Sequence, residues 1–600
     1  MNINDPHHHF ASFFKEQEDL QPFAYAVSRQ LAQGSICLDL KEKPTADKLF
    51  EGFQEDPLVL DLQEAIEKLS LSELVYKQTS DNGDGKINRP FALAGDNFYI
   101  TRYYNYETQI IEGIKSLISK GQEERQVRLR KLKESSQFKK LIAGRETSEK
   151  VGTDWQLLAA AMAYLNNFSI ITGGPGTGKT TTVAKILSLL YEENPELEVK
   201  LAAPTGKAAM RMKEALKDNS QVPEDFRESI AALEPFTLHR LLGPKYQSPY
   251  FKHDAENKLQ ADVIIVDEAS MIDVAMFAKL ISAVKEDTRL IVLGDQNQLA
   301  SVEAGSLLGD LCNSVKERNR YSAEVLRDLK ELLPFYELQE NRDEDELLQD
   351  HITELQFSYR FQKHREIGRL SKAIINNNEN ELGSFYEKSY SSREIEIDPA
   401  YDQKLFHEFI EGFNTYIEEK DTAEAIRKLN RLRILAVIRK GQQGIEGLNE
   451  KAEKYLNKKG YLKKGKTFYE NRPVMVTKNH PDLNLFNGDI GIVRPAEDNS
   501  DKMKLWFLDE KGKAKSYPPG LLTDVETVFA MTIHKSQGSE FDSVFMVMPK
   551  TEELALLTRE LLYTGITRAK QSLKIQGTIE VLKAAAKARV KRASGVRDRI

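Results

Sequence analysis

Apolar residues in this chain gather into short unbroken runs divided by longer helical stretches. Past about residue 150 the runs read "FSIIT", "VKLAA", "ADVIIVD" and "TRLIVLG", and later "ILAVI" and "SVFMVMP". Runs rich in Val, Ile and Leu, without polar alternation, predict parallel strands covered by helices on both faces. The expectation is an α/β protein with at least two such sheets. Before them, residues 1 to about 110 carry helical patterns such as "PLVLDLQEAIEKLSLSELV" and end in the aromatic run "DNFYITRYYNYE". The densely charged "EERQVRLRKLKESSQFKKL", inside the helical stretch Tyr106 to Gly144, reads as a solvated helix face leading into the first large domain. Between Gly441 and about Val525 the rhythm changes to Gly/Pro-punctuated short strands, which predicts a small all-β module inserted into the second sheet domain. The basic "KAAAKARVKRASGVRDRI" reads as a surface helix followed by a flexible end.

Composition narrows the class. A chain of 600 residues at 40% hydrophobic suits three or four domains, since single cores stop growing near 250 to 300 residues. No apolar run is long enough to span a membrane, and "MNINDPHHHFASFFKEQ" lacks the basic start and apolar core of a secretion signal. His7 to His9 read as native sequence. Cys37 and Cys312 are the only cysteines, which excludes a disulfide framework or thiolate metal site and fits a reducing cytoplasm. A net charge of −7 argues against a protein that coats nucleic acid indiscriminately, but permits a local basic channel. "SDNGDGKIN" resembles a calcium loop only superficially: aligning Gly85 with the required glycine puts Phe91 where a bidentate Glu belongs, so a hairpin turn is expected.

Chemistry concentrates in a few segments. "GGPGTGKTT", Gly173 to Thr181, follows a strand-like run and matches G-x-x-x-x-G-K-[ST]. Gly173, Gly174, Pro175, Gly176, Thr177 and Gly178 would bring backbone N–H groups around phosphate oxygens, with the positive end of the next helix behind them. Lys179 would bridge the β- and γ-phosphates of ATP, and the Thr180 hydroxyl, beside Thr181, would hold Mg²⁺. In "VIIVDEASM", Asp267 would bind the same Mg²⁺ and Glu268 would take a proton from the attacking water; a DE pair at a strand end is otherwise a helix N-terminus. "LIVLGDQNQLASV" places Asp295 and Gln298 at the same sheet edge, where the glutamine can sense a γ-phosphate or simply face solvent. Arg360 in "QFSYRF" and Arg568 in "LLYTGITRAK" could reach across a cleft as arginine fingers, or form structural ion pairs.

The ordered set Gln156 in "DWQLLAAAM", "GGPGTGKTT", "APTGKAA", "TLHRLLG", "VDEASM", "LGDQNQLASV", "QFSYRF", "TIHKSQGSEFD" and "LLYTGITRAK" resembles the motifs of superfamily 1 DNA helicases. "SVEAGSLLGDLC", "LFNGDIGI" and "VKRASGVRDRI" resemble, within them, the RecD alpha subunits of the RecBCD enzyme (exodeoxyribonuclease V). The likeness is strong over residues 150 to 600 and weak before, through "NFYITRYYNYE".

That resemblance implies a 5′-to-3′ ATP-dependent DNA helicase with two RecA-like domains, an SH3-like all-β insertion in the second, and a small, mainly helical N-terminal domain. The boundaries expected are 1–110, docking on a RecC-like subunit, then 111–345 and 346–600, with the insertion at about 441–525. Gln156 would contact adenine, and Gln298, Arg360 and Arg568 the γ-phosphate. Lys207, Thr237 and His239 fall in motifs that touch DNA, although capping or core roles remain open for the last two. In "TIHKSQGSEFD", Thr532, His534 and Ser536 would offer donors to strand phosphates, while Gly538 and Glu540 would face the nucleotide. Partners implied are single- and double-stranded DNA and RecB-like and RecC-like subunits, with no membrane; no nuclease cluster stands out, so cutting falls to a partner. Two alternatives remain: a stand-alone RecD-like helicase, against which the short N-terminal part without G-x-G hairpins argues, and a P-loop switch for protein assembly.

Overall fold

The structure is a computed structural model that describes residues 5–41, 53, 62–78, 87–146, 152–217, 219, 222–341, 346–465, 467–496, 502–509, 511–551 and 554–600. Most of "SDNGDGKIN" lies outside them. Two parallel sheets form the body. The first runs in the spatial order Ile352–Glu354, Phe168–Thr172, Arg289–Gly294, Val263–Val266, Val199–Ala203, Pro235–Thr237. Its central strands are buried along their whole length, as the unbroken apolar runs predict. One apolar cluster fills each face: Leu157 to Leu165 and the helix Lys179–Glu193 pack on one side, Phe277, Leu280 and Leu311 on the other. The strand Ile352–Glu354 completes this first sheet beside Phe168–Thr172, although it lies past residue 345.

The second sheet orders Ile395–Asp398, Ala569–Gln576, Phe541–Val547, Leu432–Ala436 and Ala530–Thr532, all parallel. An antiparallel five-stranded module, Ala514–Tyr517 through Val525–Thr527, sits beside it around its own core of Val474, Val493, Leu505 and Phe507. Its strands begin at Pro473. The preceding Ile445–Lys458, where short strands were expected, is a 14-residue helix whose Ile445, Leu448, Ala452 and Leu456 stripe packs into the second core.

Two charged segments differ from expectation. The helix Thr101–Glu134 is 34 residues long, and Arg125 and Arg128 on it are buried rather than solvated. Arg125 donates to Asp328 at 3.1 Å and to Asn166 at 2.8 Å, and Arg128 reaches Leu165 O and Glu124, so the helix is clamped to the first sheet domain by its charges. Likewise the basic residues after the helix Ile579–Lys587 are docked, not free. Ala593 pairs with Ile36, and the fully buried Glu107 accepts from Tyr99 OH (2.9 Å), Ser594 OH (3.0 Å), Gly595 N–H (2.9 Å) and Arg599 (3.1 Å). An unpaired carboxylate at this depth would be costly, and the returning segment supplies its partners. The N-terminal part adds a four-stranded sheet to its helices, and Phe98 and Tyr99 of the aromatic run are core residues in it.

Candidate functional site

The strand Phe168–Thr172 delivers the loop Gly173–Gly178 to the head of the helix Lys179–Glu193. Gly176 (φ +73°) and Gly178 (φ +86°) hold left-handed backbone that only glycine adopts freely. A Cβ on Gly178 would also lie 2.0 Å from Gln156 Nε2. Gln156, on the helix capped by Asp154, donates to Thr177 O at 3.0 Å and so braces the loop. Thr177 OH returns to Gly174 O at 2.8 Å, and Lys179 Nζ donates to Gly173 O at 2.7 Å. Thr180 and Thr181, in the first helical turn, stay partly exposed.

Asp267 and Glu268 follow the strand Val263–Val266. Asp267 accepts from Glu268 N at 2.8 Å, and Glu268 has φ +53°, a strained setting of the order of 1–3 kcal/mol for a residue with a Cβ. Burial, with the Glu268 charge beside it, pushes the Asp267 carboxyl up to about 6, against the pull of Lys179. A hard cation there would relieve that crowding, so the oxygen donors of Thr180 and Asp267 fit Mg²⁺. Asp295 is likewise raised by burial and opposed by Lys179; it accepts from Gln298 Nε2 and Tyr563 OH, each at 3.0 Å.

The second sheet domain closes over this edge. Ser358 OH donates to Pro175 O (2.9 Å) and Tyr359 N to Gly176 O (2.9 Å), which seats Arg360 so close that a Cβ on Gly176 would meet its Cβ at 2.3 Å. Arg360 donates to Glu540 at 2.6 Å, and Arg211, from the first domain, pairs with the other oxygen at 3.1 Å. Burial acts to raise the Glu540 carboxyl, but Arg360 and Arg211 outweigh it and hold the group near 2. Arg568 is buried, donating to Thr564 O (3.0 Å) and Ser539 O (3.1 Å); burial lowers its guanidinium while Glu268 and Glu540 oppose. Leu299 N donates to Thr564 Oγ1 (2.9 Å) and Gln537 Nε2 to Leu299 O (3.0 Å), tying "QNQL" to the second domain.

Three placements depart from the sequence reading. Glu540 is held between two arginines instead of standing open to a nucleotide. Gly538 (φ +66°) faces Thr205 and Ala208 of the first domain and accepts from Arg211 at 2.7 Å, so its close approach is to protein. Ser536 is fully buried and its hydroxyl donates to Ile533 O, which makes it a turn brace.

Five further candidates are Lys207, Thr237, His239, Thr532 and His534. Burial pushes the Lys207 amine down to about 8, with Arg211 and Arg433 adding and Asp489 of the β-module opposing. Phe486 of that module lies against Gly206. Thr237 caps the helix Leu238–Leu242 by accepting from Arg240 N, and exposed His239 packs edge-on to Phe251 at 5.8 Å. Thr532 is buried and accepts from Lys535 N, while burial and then Arg592 lower the partly buried His534. Sequence reasoning passed over Arg211 and Tyr563. Arg211 lies one helical turn beyond Lys207 in "GKAAMRMK", a spacing that could have flagged it; Tyr563 is embedded in "LLYTGITRAK".

Comparison with known proteins agrees with this layout. The AAA domain family matches residues 156–304, the UvrD-like helicase C-terminal domain 527–575, the ATP-dependent RecD-like DNA helicase SH3 domain 448–507, and the RecBCD enzyme subunit RecD N-terminal domain 3–99. The chain is 37% identical to the RecBCD enzyme subunit RecD of Haemophilus influenzae over 75% of its length and 72% of the relative's. It is 33% identical to that of Mycolicibacterium smegmatis over 95% and 92%. Similarity to the ATP-dependent RecD2 DNA helicase of Deinococcus radiodurans is 27%, over 72% of this chain and 50% of that one.

Proposed function

The chain belongs to the RecD family of RecBCD enzyme subunits, and from that premise we propose that it is the 5′-to-3′ motor of a cytoplasmic helicase–nuclease acting in double-strand-break repair. It is an ATP-dependent DNA helicase that works with RecB- and RecC-type subunits, which supply the nuclease. The observation that carries the motor reading is the seating of Arg360 on the P-loop while Arg211 and Arg360 share Glu540 across the seam: a nucleotide held at Lys179 is bounded by both sheet domains.

In this reading the loop Gly173–Gly178 and Lys179 bind the ATP phosphates, and Gln156 both braces the loop and contacts adenine. Thr180 and Asp267 hold Mg²⁺, which when bound neutralises phosphate charge. Glu268, held in its left-handed turn, orients the attacking water and takes its proton. Gln298 and Arg568 sense the γ-phosphate, and Arg360 exchanges Glu540 for it. Loss of the phosphate returns Arg360 to Glu540 and shifts the second domain, with Lys207, Thr237, His239, Thr532 and His534 along the strand face. The domain limits follow the sheets, with the strand Ile352–Glu354 assigned to the first. Identity of 33% to a RecBCD enzyme subunit RecD over 95% of this chain, against 27% to the RecD2 DNA helicase over 72%, favours the subunit over a free enzyme.

Lys179→Ala tests the reading: DNA-stimulated ATPase should vanish while the fold and assembly with partners persist. Retained, strand-stimulated hydrolysis in the purified variant would sink it. Hydrolysis in the wild type that responds to a protein partner but not to DNA would favour an assembly switch.

A further inference from the structure

The docked basic segment borders a cavity beside the nucleotide site, with Gln298 on its wall. About 350 Å³ in volume, it opens at the seam between the sheet domains and is walled by Gln296, Asp310 and Arg318 of the first domain, Arg559 of the second, and Arg589 and Arg592 of the docked segment. Arg559 is buried and donates Nε to Ala586 O at 2.8 Å; Arg592 donates to Glu303 O and Gly305 O at 3.0 and 2.6 Å. Arg318 already shares Glu354 at 3.5 Å. Among the described residues the other three arginines form no ion pair, and Glu560 beside them takes Val590 N. Gln296 Oε1, Asp310 Oδ2 and Arg592 Nε are buried without a hydrogen-bond partner among the described residues. Buried donors are almost always satisfied, so the unpaired Arg592 Nε, in a cavity also walled by Arg559 and Arg589, points to an anionic ligand.

We propose that this cavity is a phosphate subsite for the translocating single strand, with Arg589 and Arg592 as its principal contacts. A guanidinium fork matches phosphate oxygens bidentately, and the four arginines around the cavity outnumber its two carboxylates, Asp310 and Glu560. The strand is the polyanion at hand: Arg592 lies close enough to His534 to act on its charge, so the cavity continues the strand face, and its Gln296 leads directly into the Gln298–Leu299 link. Asp310, whose carboxyl burial lifts to about 7, can stand beside a phosphate as a neutral acid. The assignment rests on the motor reading above.

The test compares Arg589→Gln/Arg592→Gln with Arg589→Lys/Arg592→Lys in the full-length chain, alone and with its RecB- and RecC-type partners. An oligo-dT binding series in salt reads the number of phosphates neutralised, at about 0.7 in log–log slope per phosphate on a single strand. The glutamine pair should lower the slope by about 0.7 and raise the DNA concentration for half-maximal ATPase several-fold, and the lysine pair should restore the slope. An unchanged slope and half-maximum in the glutamine pair, beside a DNA-responsive wild type, would overturn the subsite. Inorganic phosphate offers the other source of the same chemistry: thermal stabilisation by phosphate, lost in the glutamine pair with the DNA slope intact, would overturn the strand assignment. A wild type whose ATPase ignores DNA would refute the motor reading itself.

Discussion

Glu540→Gln probes the link across the seam. The wild-type carboxylate lies between Arg360 at 2.6 Å and Arg211 at 3.1 Å, and falls from an ordinary value near 4.5 to about 2. At ~1.4 kcal/mol per pH unit that difference is worth ~3 kcal/mol at neutral pH, an upper figure because the side chain keeps 18% exposure. The sign follows from linkage: a depressed carboxyl stabilises above its unfolded value, and the benefit is lost as pH falls from 4.5 towards 2. About 1 kcal/mol should remain at pH 3. Urea unfolding reads the effect through the two tryptophans, Trp155 in the helix that carries Gln156 and Trp506 in the β-module, with each replaced by Phe in turn to isolate one domain. The variant should lose ~2–3 kcal/mol at pH 7, and the gap to wild type should narrow by more than half at pH 3. A loss below ~0.5 kcal/mol at pH 7, the range of an uncoupled surface change, would refute the reasoning, as would a gap that ignores pH.

Tyr563→Phe removes the hydroxyl that reaches Asp295 across the seam, a bond to a charged group of about 1.5–3 kcal/mol. DNA-stimulated kcat should drop roughly tenfold or more in a phosphate-release assay, against a smaller change in basal rate. Glu107→Ala strips the buried carboxylate from Arg599, Ser594 and Tyr99, and calorimetry should record a stability loss of about 3–5 kcal/mol.

Where chemistry forces residue identity, the sequence was legible. Phosphate cradling needs Gly176 and Gly178, and the Lys179, Asp267–Glu268 and Asp295–Gln298 groups all stand at the ends of strands recognisable as apolar runs. Legibility failed where a residue's role depends on a distant partner. Arg125 reads as a solvated charge until Asp328 arrives from 203 positions away, and the basic residues near 590 read as a loose end until Glu107 is found beneath them. Glu540 suffered the same way, because its neighbours Arg211 and Arg360 come from different parts of the chain. The helix Ile445–Lys458 differs: its stripe of apolar positions is present in the sequence, but the glycines flanking it also fit turns between short strands.

The Glu107 pocket also sets a clock on biosynthesis. Arg599 is 492 positions beyond Glu107, so at roughly 5–20 residues per second a ribosome makes the second partner ~25–100 s after the first. Through that interval the nascent N-terminal part holds an acid with Tyr99 but without Ser594, Gly595 or Arg599. Folding of this chain therefore does not proceed strictly from the first domain to the last. Both motor domains must be made before the Glu107 pocket has all of its partners.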